Sequence, residues 1–392
     1  MPGLGRVSGV EWGLDRGLLA FAAILVVFWT IVYSLFRGKR GRVEVHPGYI
    51  IARAGISLDP MPEGRKAKLF RLYGWASFVI LIASAVLFYY YTIDLFLLRY
   101  IRPPECSTGV AGFVPFIPGV TMSWQATIYI LLALGVAAFF HELAHAYVAR
   151  AVGLKIRDAG IAFFLFIPGA FVEPDEEELN RAEKRRKIPV YSAGVGANAV
   201  IAVIALLLAG ALVAGAVITG VDPGSPASEA GLKPGMEILA INGTPVRSVG
   251  DVLNVLGAMG LSDPTKTLTV DFEVRYNGEV THVIVHREGN PNAKPCERGR
   301  IGITLENKYW PSREVGVFMN LLFIINLSLA IVNAAPLVLP LPGGSILADG
   351  AYILKELVEP LLGEKRAMAL TVAVGVGTLL LVLSLLSFQR IM

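Results

Sequence analysis

Apolar positions along the chain gather into six long runs: 18–36, 74–98, 127 to about 150, 188 to about 218, 315 to about 339, and 367–388. A membrane-crossing helix needs about 20 consecutive apolar residues, so each run predicts one span. The fourth run is long for one span and predicts a tilt, or a break at Gly194 or Gly196. The first run is too long, and too basic on its C-terminal side, for a cleavable signal peptide. Between the fourth and fifth runs the pattern changes to short alternating stretches, 267–274 and 280–286, with turn signals at Asn242-Gly243 and Asn277-Gly278. The pattern predicts a multi-pass α-helical membrane protein of about six transmembrane helices with an inserted α+β domain. The expected division is a membrane region 1–220, a soluble module 221–310, and a second membrane region 311–392.

Composition agrees with a membrane solvent. Of the 392 residues, 54% are hydrophobic and 17% charged. Soluble domains carry roughly 25% charged residues. A disordered chain, a fibrous repeat and an ordinary soluble enzyme are excluded. The net charge of +4 does not call for a nucleic-acid partner, because membrane proteins collect Lys and Arg for topological reasons. Those residues crowd 37–73 (Arg37 to Arg71) and 151–187 (Lys155 to Lys187), whereas the loop between runs two and three has only Arg99 and Arg102. The bias predicts both crowded loops in the cytosol, with 99–126 and 221–312 outside. The charge run 173–187 pairs Glu177 with Arg181 and Glu183 with Lys187 at i,i+4, as an exposed helix would. Two cysteines, Cys106 and Cys296, exclude a disulfide scaffold. Both are expected outside, as a disulfide or as free thiols.

The third run ends in His141-Glu142-Leu143-Ala144-His145. On a helix, residues i and i+4 share a face, so both imidazoles can grip one metal ion. Neutral imidazole suits Zn²⁺. Glu142 stands beside the first of them, where a carboxylate can take a proton from water held on the metal. Such a set inside an apolar span is costly and marks a functional site. Two histidines leave zinc short of a protein ligand, and carboxylates at that depth are few. Asp349 follows run five after the break 336–344, at the same predicted depth as His141. Its other reading is a turn or cap for the helix that follows. His46, His282 and His286 are expected at the surface.

Together these motifs resemble the site-2 protease family of intramembrane zinc metalloproteases, archaeal type. Residues 140–146 match its His-Glu-x-x-His motif, and Asn333-Ala334-Ala335-Pro336 with Asp349-Gly350 resembles its Asn-x-x-Pro…Asp-Gly motif. Gly194 and Asn198 resemble its Gly-x-x-x-Asn element, and 166–172 a stretch of archaeal and eukaryotic members. The resemblance covers roughly 120–390 and departs in one place, since Leu339 to Ser345 lengthens the interval from Asn333 to Asp349. The run Pro226-Ala227…Ala230-Gly231-Leu232-Lys233-Pro234-Gly235-Met236 resembles a circularly permuted bacterial PDZ domain, whose late strand, with Ile301, Gly302 and Ile303, would bind peptides.

The resemblance implies an intramembrane endopeptidase holding one Zn²⁺ per chain on His141, His145 and Asp349, with water activated by zinc and Glu142. It implies that Asn198 and Asn333 meet the substrate, Asn198 by orienting it or a developing oxyanion; a polar contact between helices is the other reading of Asn198. The apolar stretch 156–172, broken at Pro168-Gly169, would be a re-entrant hairpin that pairs with an unwound substrate. Substrates would be single-span membrane proteins, trimmed first by another protease. The chain would sit in the cell membrane with its PDZ-like module outside and its active site toward the cytosol. Two other classes are a non-catalytic scaffold using the PDZ-like module, and a CAAX-type membrane peptidase. The latter needs a downstream Glu, and run four contains no acidic residue.

Overall fold

The computed structural model describes residues 11–102, 112–293, 296–341 and 344–387. In chain order the elements are α1 (Glu11–Phe36), β1 (Gly38–Arg40), β2 (Val43–His46), β3 (Tyr49–Arg53), α2 (Arg65–Tyr100) and α3 (Trp124–Ala151). Then come β4 (Ile156–Phe164), β5 (Ile167–Pro174), α4 (Glu176–Arg181) and α5 (Lys184–Ala211). The inserted part holds β6 (Val213–Val221), α6 (Pro226–Glu229), β7 (Glu237–Ile241), β8 (Thr244–Pro245), α7 (Val249–Ala258), β9 (Leu268–Tyr276), β10 (Glu279–Arg287) and β11 (Ile303–Tyr309). The chain closes with α8 (Arg313–Ala334), β12 (Val338–Leu341), β13 (Gly344–Leu347), α9 (Asp349–Leu362) and α10 (Glu364–Ser384). Two compact units result, and the second, 205–320, holds the insertion together with the end of α5 and the start of α8.

Among the described residues, six helices are long and apolar enough to cross a membrane: α1, α2, α3, α5, α8 and α10. Their outward faces carry large exposed apolar side chains such as Ile24, Val79, Ile128, Leu207 and Leu380. Such a surface is stable only against lipid or protein. The chain is a multi-pass membrane protein. Run four is shorter as a helix than the hydropathy pattern suggests. It passes unbroken through Gly194 and Gly196 and ends at Ala211. At Gly196 a Cβ would stand 2.0 Å from Ser77 Oγ, so this glycine serves close contact with α2 and makes no break. The remaining apolar residues become β6, where β-branched residues suit a pleated, half-buried surface. The insertion therefore starts near 213, before the expected 221. Run five is likewise split: α8 stops at Ala334, ahead of Pro336, which disfavours helix in the residue before it.

A five-stranded antiparallel sheet lies in the first unit, in the order β1-β2-β3-β4-β5. Its first three strands come from the basic segment 37–73, expected as a loop. The turn between β4 and β5 falls at Leu165-Phe166, with Leu165 at φ +53°. Pro168-Gly169 lies inside β5, not at the turn expected there. The tip is fastened to α1, where Trp29 Nε1 donates to the Leu165 carbonyl at 3.0 Å. Lys187 leaves the surface pairing with Glu183 and meets the buried Glu356 at 3.3 Å. Glu177 and Arg181 pair as expected, at 3.6 Å.

The second unit is an α+β fold around one core. Its sheet runs β10-β9-β7-β6-β11, with β8 on β7. Phe272, Ile218, Ile238, Ile241 and Leu256 fill the interior. Asn242 and Asn277 take positive φ in the two hairpin turns signalled by Asn-Gly. β11 is an edge strand; Ile301 is buried before it and Gly302 takes φ +83°. His282 and His286 are exposed on β10. Cys296 is disulfide-bonded, and Cys106 lies outside the described residues.

Candidate metal centre

α3 begins at Ser123, whose side chain accepts from the Ala126 amide and caps the helix. Its buried stripe runs Ile130, Ala133, Ala137, His141, at spacings of three and four. The stripe thus carries His141 inward, and His145 lies one turn on. Asp349 arrives from the other end of the chain. The lengthened interval folds out as the β12–β13 hairpin, whose base closes when the Ala348 amide donates to the Leu337 carbonyl at 3.0 Å. The insertion is thereby bypassed, and α9 starts with Asp349 next to the end of α8. Gly350 permits this approach, because a Cβ there would stand 2.0 Å from the Ala334 carbonyl oxygen.

The three side chains converge. His141 Nε2 and His145 Nε2 lie 3.1 Å apart. Asp349 Oδ2 is 3.3 Å from His141 Nε2, and Oδ1 is 3.5 Å from His145 Nε2. All three residues can offer one atom to a common centre, these atoms lying within 4.8 Å of one another. Tetrahedral zinc with bonds of about 2.0–2.2 Å needs ligand atoms roughly 3–4 Å apart. Asp349 Oδ2 is buried and receives no hydrogen bond of its own. Two nitrogens and one orphaned carboxylate oxygen, facing one another, fit zinc binding with a fourth position left for water or substrate.

α5 supports the cluster from behind. His145 Nδ1 lies 2.7 Å from the Val190 carbonyl oxygen, which can only accept. Gly194 faces the His141 ring, and a Cβ there would stand 2.3 Å from Nε2. Asn198 is fully buried, with Nδ2 3.2 Å from His141 Nδ1. The same helix holds α9 in place through Lys187 and Glu356 and through the stacked rings of Tyr191 and Tyr352, 4.8 Å apart.

Glu142 is half-buried beside the cluster, and its Oε2 accepts the Val172 amide of β5 at 3.0 Å. It borders two cavities, as do His141 and Asp349. One, of about 730 Å³, has polar walls that include Arg157, Glu173, Glu176 and Tyr191. The other, of about 380 Å³, is bordered by Gly169 and Ala170 of β5, Leu329 and Asn333 of α8, and Leu337, Leu339 and Leu347 around the hairpin. Asn333 thus stands in the same cavity as His141, Glu142 and Asp349. The profile of peptidase family M50 matches residues 129–383, a stretch containing all of these residues. The chain belongs to peptidase family M50, the site-2 protease family. An uncharacterized protein of Methanocaldococcus jannaschii is 27% identical over 345 residues, 85% of this M50 chain and 86% of the relative. A provisionally named zinc metalloprotease of Vibrio cholerae is 29% identical over 173 residues, 36% of this chain and 38% of the relative.

Val190 lies in none of the motifs, and Val172 and Ala334 lie within them with no role assigned there. Each contributes a backbone atom, which no side-chain pattern announces.

Proposed function

We propose that this M50 protein is an intramembrane zinc endopeptidase that cuts single-span membrane proteins within or near the bilayer. The observation that carries the reading is the convergence of His141, His145 and Asp349 where a polar and an apolar cavity meet. These three residues would hold one zinc ion per chain. Zinc held there would supply Lewis acidity, polarising a peptide carbonyl and lowering the pKa of water toward about 7. Glu142 takes the proton of the attacking water as the new C–O bond forms, then passes it to the departing amine as C–N breaks. The polar cavity supplies that water. The apolar cavity takes substrate side chains, with Asn333 as a hydrogen-bonding partner at its wall.

The free edge of β5 supplies the grip on substrate. Val172 gives its amide to Glu142 and so points away from β4. Alternation along an antiparallel strand turns the Ala170 amide and carbonyl the same way. Pro168, lacking an amide hydrogen, tolerates that edge. A substrate unwound from its helix can pair there as an added strand. Ala170→Pro removes the outward amide while leaving the β4 side intact. Losing one backbone hydrogen bond costs about 1 kcal/mol, and the ring obstructs pairing besides. Cleavage should fall tenfold or more with zinc content unchanged; wild-type cleavage rates in liposomes would sink the strand-pairing step.

The insertion supports a PDZ-like reading, with the edge strand β11 and the Ile301-Gly302-Ile303 entry as the peptide-binding strand. It would read a terminus left by an upstream protease. The Lys and Arg bias supports an orientation with this module outside the cell membrane and the metal centre toward the cytosol. The whole reading is tested with the purified chain in liposomes and a panel of single-span proteins. Zinc should be found at one per chain, with cuts in or beside the span that stop on chelation and resume on zinc. A chain that binds no zinc, or binds zinc and cuts none of the panel, overturns it.

A further inference from the structure

A histidine that binds metal through Nε2 must carry its remaining proton on Nδ1, and it needs an acceptor there to fix the ring. For His145 the Val190 carbonyl is that acceptor. For His141 the neighbour at Nδ1 is the Asn198 side-chain amide, 3.2 Å away through Nδ2. In that orientation the amide donates, and the His141 proton is forced onto Nε2, into the cluster. There it faces His145 Nε2, 3.1 Å off. Meanwhile Asn198 Oδ1 is buried with no partner. The two ends of an asparagine amide are exchanged by a half-turn, and their assignment follows from the network around them. The half-turned amide accepts from Nδ1–H and leaves His141 Nε2 bare toward the metal position.

We infer that Asn198 is a positioning residue that fixes the metal-binding tautomer of His141 by accepting its Nδ1 proton. This inference rests on the zinc reading above. It gives α5 one role at three successive turns: Val190 orients His145, Gly194 makes room for the His141 ring, and Asn198 orients that ring. Asn198 and Asn333 both border the apolar cavity, but it is Asn198 whose side-chain amide lies 3.2 Å from a ring nitrogen of His141.

Two variants distinguish acceptor from donor. Asn198→Asp can only accept; Asn198→Leu has similar bulk and can do neither. Zinc affinity is measured on the full chain in detergent by competition with a chromophoric chelator, using Zn²⁺ alone, alongside thermal unfolding of the metal-free proteins. Asn198→Leu should weaken zinc 10- to 100-fold, in the range set by lost outer partners of a ligand. Asn198→Asp should stay within a few-fold of wild type. A Leu variant that binds like wild type, or an Asp variant that falls as far as Leu, overturns the inference. Should either variant fail to fold, nitrogen NMR of the histidine-labelled, zinc-loaded wild type decides, the chain having five histidines. His141 should carry its proton on Nδ1, as His145 does; a bare Nδ1 on His141 overturns it. Failure of wild type itself to bind zinc strikes the metal reading instead.

Discussion

Glu142→Gln should leave zinc content at wild-type level and reduce cleavage by about 10²- to 10⁴-fold, the share that general acid–base catalysis supplies. The substitution is nearly isosteric. An amide oxygen still accepts the Val172 amide that Glu142 Oε2 accepts at 3.0 Å. The link between α3 and β5 therefore survives. No zinc ligand is touched, since the converging atoms belong to His141, His145 and Asp349. What is lost is the capacity to take a proton from water and return it to the leaving amine. Zinc per chain by elemental analysis and cleavage in liposomes read the two properties separately. Retained cleavage would remove Glu142 from the proton path. A parallel loss of zinc would make it a structural support of the cluster.

The convergence of His141 and His145 was legible because helical geometry fixes it within five residues: the two must share a face. Asp349 was legible by depth, from spans and basic loops counted along the chain. The contacts that tune the cluster were not. Asn198 meets His141 across 57 residues, and Val190 meets His145 across 45. Such contacts follow from how α5 packs on α3, which no periodicity records. The strands of 38–53 were missed for a similar reason. They are short, basic at one end, and stabilised by pairing with β4 more than 100 residues later. Hydropathy overran at two ends, where β6 and β12 continue the apolar composition of the preceding helix. An apolar run reports burial or lipid contact, and only length and proline separate helix from strand. The lengthened Asn-to-Asp interval looked like a departure from the family. The closed base of β12–β13 shows how an insertion leaves both ends of the motif in place.

Asp349→Ala carries the largest expected effect on the metal. It removes one of the three converging ligands and the only negative charge among them. Loss of an outer partner alone lowers metal affinity 10- to 100-fold, so losing a ligand should exceed 100-fold. Zinc should be recovered far below one per chain after dialysis, and cleavage should disappear with it. The fold has reason to survive. α9 is held by Lys187 on Glu356 at 3.3 Å and by the Tyr191–Tyr352 stack. The approach of α9 to α8 depends on Gly350, which stays. An ionised carboxylate is also the charge that compensates Zn²⁺ in a buried setting, where an uncompensated ion is very costly. Asp349→Asn sharpens the test, because it keeps shape and one oxygen but no charge. If Asn restores zinc where Ala does not, oxygen geometry dominates. If both lose it, charge does. If Ala keeps zinc and cleavage, Asp349 only starts α9, and the third ligand lies elsewhere on the cavity wall.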